Sequence, residues 1–210
     1  MPPAPSTTVL LTTWISSTLA CAAVMLRIYT RTILVRSLGW DDCTIVLAIL
    51  SSLGLSLLWS FQSRHGLGEP FSALPPQHLE TNVELTWLSL FPYYAALSLV
   101  KISAILQMLR IFQIPRVRTS CLLALAFMIF FGIWTLITPL IVCHPLAYLW
   151  DKSIQDGRCI DAFPILYANA AVNIATDILV TLLPIRILSR LTLSRGQKRG
   201  LMAVFALGMM

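Results

Sequence analysis

A chain of 210 residues with 57% apolar and only 11% charged side chains departs far from a soluble domain, in which about a quarter of residues are charged. Fifteen basic and nine acidic residues, at a mean hydropathy of +0.80, cannot solvate the surface of a globule of this size. An ordinary soluble enzyme, a disordered chain and a nucleic-acid-binding module are excluded, the last despite a net charge of +6.

The chain opens with Met1-Pro2-Pro3-Ala4-Pro5-Ser6, which reads as a disordered stub. Stretches without Asp, Glu, Lys or Arg then follow at 1–26, 43–63, 85–100, 119–150, 162–176 with 178–185, and 200–210. A helix crossing about 30 Å of hydrocarbon needs about 20 residues, so these stretches predict spans at 8–28, 43–62, 86–109, 120–142 and 164–186. Lys101 and Asp177 each interrupt one of them. Leu201–Met210 is half the required length and reads as the start of a sixth span, the mark of a fragment of something longer. Segments such as Leu122–Phe131 are apolar on every face, without the alternation of a transmembrane β-barrel, and in lipid a long apolar run must bond its own backbone as a helix. The predicted fold is therefore an all-α, polytopic transmembrane helix bundle. The connections at 30–42, 63–84, 110–119, 143–163 and 187–200 are too short for a separate soluble domain. Residues 1–210 read as a single, incomplete membrane domain.

Charge sets the orientation. Eleven of the fifteen basic residues follow the first, third and fifth spans, among them Arg110, Arg116, Arg118, Arg190, Arg195, Lys198 and Arg199. Only Arg64, Lys152 and Arg158 lie on the opposite side. An excess of Lys and Arg marks the cytoplasmic side, which predicts an extracytoplasmic N-terminus. No charge precedes the first span and three arginines follow it, so it reads as a retained reverse anchor and not as a cleaved signal peptide. The basic loops are topology determinants that also attract anionic lipid; a docking surface for a cytosolic signalling partner is the alternative.

Among the five cysteines, Cys21 lies within the first span, and Cys43 and Cys121 lie near ends of spans on the reducing side. Cys143 and Cys159 share the exterior loop between the fourth and fifth spans, where an oxidising compartment favours a disulfide over two free thiols. His65, His78 and His144 belong to exterior loops and read as solvated side chains, not as a metal site. No histidine sits inside a span, so haem ligation across the membrane has no support. There is no G-x-S-x-G, no phosphate-binding loop and no carboxylate pair within a span, and no catalysis is expected.

A charge in the middle of a bilayer costs about 2.5–3.5 kcal/mol and normally faces protein or water. Lys101, on the third span, and Asp177, on the fifth, come to similar depth at 1.5 Å rise per residue, so an ion pair between them is allowed. Asn169 and Asn173 precede Asp177 at four-residue steps and make a polar stripe on one helix face. That stripe glues helices or lines a ligand or ion site. For Lys101, snorkelling to the headgroups is the competing account. Pro139 and Pro184 fall within spans, where proline is tolerated.

Several segments taken in order then carry a resemblance: Arg27-Ile28-Tyr29-Thr30-Arg31, Leu38-Gly39-Trp40-Asp41-Asp42, His65-Gly66-Leu67-Gly68, Leu99-Val100-Lys101-Ile102-Ser103 running to Leu109-Arg110-Ile111-Phe112, Cys143-His144-Pro145 with Trp150 and Cys159, Asn169 to Asp177, Leu183-Pro184-Ile185, and Ser194-Arg195-Gly196-Gln197-Lys198. Together they resemble the fungal rhodopsin-domain membrane proteins, the Pth11-like and Sat4-like group. The resemblance implies a seven-helix, receptor-like integral membrane protein with an exterior N-terminus, in the plasma membrane, with no established ligand. It marks Asp41, Asp42, Lys101, Arg110, Cys143, Cys159, Asn173 and Asp177 as recurrent positions. It does not imply retinal: microbial rhodopsins carry their Schiff-base lysine in the last helix, and Lys101 is in the third. The extracellular cysteine-rich module of some relatives is absent. The leading expectation is thus a receptor-like protein without catalysis or cofactor, partnered by the lipid bilayer and read out at its basic loops. A transporter or channel using the polar stripe of the fifth span is the alternative.

Overall fold

The structure, a computed structural model, describes residues 5–65, 67, 75–112 and 114–190. Five long helices dominate: α1 Pro5–Tyr29, α2 Trp40–Gln62, α3 Pro76–Ile111, α4 Pro115–Ile141 and α5 Ala162–Arg190. All five contain a stretch long and apolar enough to cross a membrane. The expected start of a sixth span at 201–210, with Arg195, Lys198 and Arg199, lies outside the described residues, as do residues 1–4.

Each helix reaches beyond the apolar run that announced it. Helix α1 begins at Pro5, inside the expected stub, and runs on as a π-helical turn, Thr30–Leu34. Helix α2 begins at Trp40, so Asp41 and Asp42 occupy its first turn and not a loop. Helix α3 starts at Pro76, ten residues before the expected span, and takes in Glu80 and Glu84. Pro75 and Pro76 set its start, since proline is preorganised for the first helical turn, and that turn packs beside the end of α2. Helix α4 likewise starts on a proline, Pro115, which puts Arg116 and Arg118 on an exposed helical turn where a loop was expected. Arg190 is the last residue of α5. Apolar periodicity underestimates all of these ends because helix termini outside hydrocarbon are polar.

Helix α3 is the hub. It packs against α2, α4 and α5, and α1 packs on α2. Where α3, α4 and α5 meet, Ile105, Met108, Phe112, Cys121, Met128 and Val180 form an apolar cluster. Elsewhere polar side chains outnumber the buried Ile45 and Ala48: Ser17, Ser56, Ser103, Gln107, Thr135 and Thr138 are all buried. Large apolar side chains such as Leu123, Phe130, Ile133 and Tyr167 point outward. That distribution suits a lipid solvent, in which apolar surface gains nothing by turning inward and helices join through close packing and hydrogen bonds. Trp14 Nε1 donates to Ser60 Oγ at 3.0 Å, and the Ser17 and Ser56 hydroxyls lie 2.8 Å apart, joining α1 to α2.

Two faces close the bundle. One carries the α1–α2 and α3–α4 connections and is called the arginine face. The other carries the α2–α3 and α4–α5 connections. On that second face Cys143–His144 (β1) and Arg158–Cys159 (β2) form a short antiparallel ladder, and Cys143 and Cys159 are joined by a disulfide. Within the loop so closed, the hydroxyl and backbone N–H of Ser153 hold the Asp151 carboxyl below the usual carboxylate range.

Candidate functional site

Two assemblies of charge lie in the bundle. The first is at the arginine face, where the first turn of α2 enters between α1 and α3. The Gly39 N–H donates to Asp42 Oδ2 at 3.0 Å, half of a capping box that opens α2. Asp41 and Asp42 are 3% and 4% exposed, and they meet three arginines. Arg27 Nη2 donates to Asp41 Oδ2 at 2.9 Å and its Nε to Asp42 Oδ1 at 3.3 Å. Arg31, one helical turn on, reaches the same Asp41 oxygen at 3.2 Å. Arg110 Nη1, from the end of α3, lies 3.2 Å from Asp41 Oδ1, and its Nη2 donates to the Ser37 carbonyl at 2.9 Å. Arg27 Nη1 also donates to Gln107 Oε1 at 2.9 Å, and the Ser103 hydroxyl donates to the Asp41 carbonyl at 2.7 Å. Buried carboxylates survive only when paired and fully hydrogen-bonded, and this cluster meets both conditions. A glycine stands at position 39 because a Cβ there would press on Asp41 Oδ1 and lie 2.7 Å from Arg110 Nη1.

Reading Arg110 as one of a set of basic loop residues therefore needs correction. It is a structural partner of Asp41 and ties α3 to α2. Sequence patterning missed the cluster because Arg27 and Asp41 lie on either side of a turn and Arg110 is 69 residues further on. One signal was present: among eleven bases on that side, two adjacent acids stand directly at a span start, and Arg27 and Arg31 are spaced to share a helix face.

The second assembly joins α3 to α5 inside the bundle. Lys101 Nζ lies 3.0 Å from Asp177 Oδ1. The ammonium also donates to the Asn173 carbonyl at 2.9 Å, Asn173 Oδ1 at 2.6 Å and Thr176 Oγ1 at 2.9 Å. The lysine side chain is 6% exposed, whereas that of Asp177 is 55% exposed. Asn169, expected in the same polar stripe, is buried as well, where its Oδ1 accepts from Trp134 Nε1 of α4 at 3.2 Å and its side chain meets that of Tyr94 on α3. The stripe thus reaches two neighbours: Asn173 and Asp177 meet Lys101 of α3, and Asn169 meets both Trp134 of α4 and Tyr94 of α3. Snorkelling does not describe Lys101, whose ammonium turns into the bundle and onto α5.

A cavity of about 220 Å³ lies between α1, α2 and α3, with Asp177 of α5 at its edge. Its wall touches both assemblies, Arg27 from the first and Lys101 with Asp177 from the second.

The histidines expected to be solvated in loops differ among themselves. His144 is exposed. His65 and His78, at the ends of helical segments, turn toward each other with their Nδ1 atoms 3.2 Å apart. Gln62 and Asn82 brace this junction: Gln62 Nε2 donates to Asn82 Oδ1 at 2.8 Å, and Asn82 Nδ2 to the His65 carbonyl at 3.1 Å. Among the described residues, no three His, Cys, Asp or Glu side chains are grouped so as to hold a metal ion.

The fungal rhodopsin domain model matches residues 26–210 of this chain. A SAT4 family membrane protein of Emericella nidulans is 28% identical over 174 residues, covering 81% of this chain and 42% of that protein. Fugralins biosynthesis cluster protein 2 of Gibberella zeae is 26% identical over 132 residues, covering 59% of this chain and 33% of that protein. The chain spans less than half the length of both relatives. No solved structure matches it.

Proposed function

Because the chain belongs to the fungal rhodopsin domain family of helical membrane proteins, we propose that it acts as a receptor-like integral membrane protein without chemistry of its own. In this reading the N-terminus faces the exterior of the plasma membrane and the arginine face meets the cytosol, in line with the positive-inside bias of the sequence, in which eleven of fifteen bases follow the first, third and fifth spans. A signal is a change in the population of two helix arrangements. The observation that carries the reading is that Arg27 both lines the cavity and holds Asp41, Asp42 and Gln107. A displacement of α1 or α3 around the cavity therefore reaches the arginine face through one side chain.

The test is a distance measurement in lipid nanodiscs. Spin labels at Leu34 and Ile114, both exposed at the arginine face, report the separation of α1 and α4 once Cys21, Cys43 and Cys121 are replaced. Asp177→Asn, which weakens the α3–α5 contact, is expected to shift that distance distribution while leaving the flux of solutes into proteoliposomes unchanged. An unmoved distribution overturns the coupling. A solute flux that vanishes in Asp177→Asn overturns the receptor reading in favour of transport along the polar stripe of α5.

A further inference from the structure

We infer that the cavity between α1, α2 and α3 is a binding site for a small neutral alcohol, an apolar body of about ten non-hydrogen atoms whose hydroxyl donates to Asp177. The inference deepens the receptor reading and rests on it for its purpose, though not for its chemistry.

Size comes first. The cavity measures about 220 Å³, and an apolar cavity of about 150 Å³ accommodates benzene, so there is room for a molecule half as large again. Ala20, Ala23, Ala48 and Ala96 contribute to its wall and leave space where larger side chains would fill it. Apolar walls with a few convergent polar groups are the usual build of a small-molecule site.

Polarity decides the class. The two cations in the wall are already engaged: each nitrogen of Arg27 donates to Asp41, Asp42 or Gln107, and Lys101 Nζ faces four oxygens of α5. Asp177 is different. Its Oδ1 meets Lys101, while its Oδ2 accepts no hydrogen bond among the described residues, and half of the side chain remains open. Ser52 also lines the wall, and its hydroxyl can donate or accept, so the cavity suits a ligand group that donates to Asp177 and can itself accept. An ammonium ligand would add a net charge to a neutral Lys–Asp pair inside a bilayer, which is costly. A hydroxyl brings only its own desolvation and gains a charge-assisted hydrogen bond.

The probe is a photoreactive diazirine derivative of 1-octanol, applied to the full chain in nanodiscs, with the labelled peptides identified by mass spectrometry. Labelling is expected on the cavity-facing residues of α1, α2 and α3. Excess 1-octanol should suppress it about tenfold more effectively than n-octane, the difference made by one hydrogen bond to a charged acceptor. Ala48→Leu fills the cavity while leaving Lys101 and Asp177 in place, and it should abolish the label; Asp177→Leu should remove the preference for the alcohol over the alkane. Label spread evenly over the lipid-facing sides of all the helices overturns the site. Equal competition by n-octane overturns the role of Asp177 and with it the alcohol class. Label confined to the cavity with no change in the Leu34–Ile114 distance keeps the site and sinks the receptor reading. A distance that responds to Asp177→Asn with no label in the cavity does the reverse.

Discussion

At the arginine face, three guanidinium groups share two carboxylates that are almost wholly buried. Inside the bundle, one ammonium meets one carboxylate that keeps 55% of its side chain exposed. The first arrangement hangs on one shared acid: without Asp41, Arg27 keeps Asp42 and Gln107 and Arg110 keeps the Ser37 carbonyl, but Arg31 loses the carboxylate it reaches, and three cations are left around Asp42. The second has spare partners, because Lys101 retains two oxygens of Asn173 and one of Thr176 if Asp177 lets go. Charges bound this tightly hold the ends of α1, α2 and α3 together at the arginine face, so that a shift of one helix is passed to the others. Charges that separate at modest cost permit movement of α5 against α3.

The contrast predicts unequal losses. Asp41→Asn should be the most damaging, since it strips Arg27, Arg31 and Arg110 of a common partner. Breaking a buried pair by removing one member typically costs about 3–5 kcal/mol. Thermal unfolding of the detergent-solubilised protein, followed by circular dichroism, measures it. A loss no larger than that of Asp177→Asn would erase the distinction between the two assemblies.

Gly39→Ala sharpens the same point without touching a charge. The backbone at Gly39 is extended, at φ −141°, so the reason for glycine is space and not conformational freedom. A Cβ would press on Asp41 Oδ1 and Arg110 Nη1, and overpacking of this kind costs about 1–3 kcal/mol. In an Asp41→Asn background, where the Arg110 contact is already loosened, the same substitution should cost less. Full additivity of the two changes would mean that Gly39 does not report on the cluster.

The unequal construction also explains what could be read from the chain alone. Five apolar runs announce five helices because hydrocarbon thickness imposes a length on each, and the interrupting Lys101 and Asp177 stand out against them. The helix ends are less legible. Pro76 and Pro115 begin helices inside polar stretches, where no apolar period marks a turn. The arginine cluster is least legible of all. Its members look like any basic loop, and what separates Arg110 from the exposed Arg116 and Arg118 is the arrival of Asp41 from another helix. The same limit hid the partners of Asn169, since four-residue spacing places it near the Asn173 side of the helix but cannot say that it meets Trp134 and Tyr94.

The smallest expected effect concerns the α3–α5 pair. Asp177→Asn removes the countercharge of Lys101 while leaving an amide oxygen and three other acceptors beside it, and with Asp177 half-exposed it should cost about 1.5 kcal/mol, the low end for a hydrogen bond to a charged group. Exchanging the charges tests whether the pair is a simple Coulomb contact. In Lys101→Asp with Asp177→Lys the ion pair is re-formed, but the carbonyl and amide oxygens of Asn173 and the hydroxyl of Thr176 remain on α5. They would then lie on the same helix as the new ammonium, and the new carboxylate on α3 would face acceptors where Lys101 had donated. The exchange should therefore restore less than half of the stability lost in Lys101→Asp alone, read by the same unfolding measurement. Complete restoration would show that Asn173 and Thr176 are bystanders, and that the α3–α5 contact is as self-sufficient as the cluster at the arginine face.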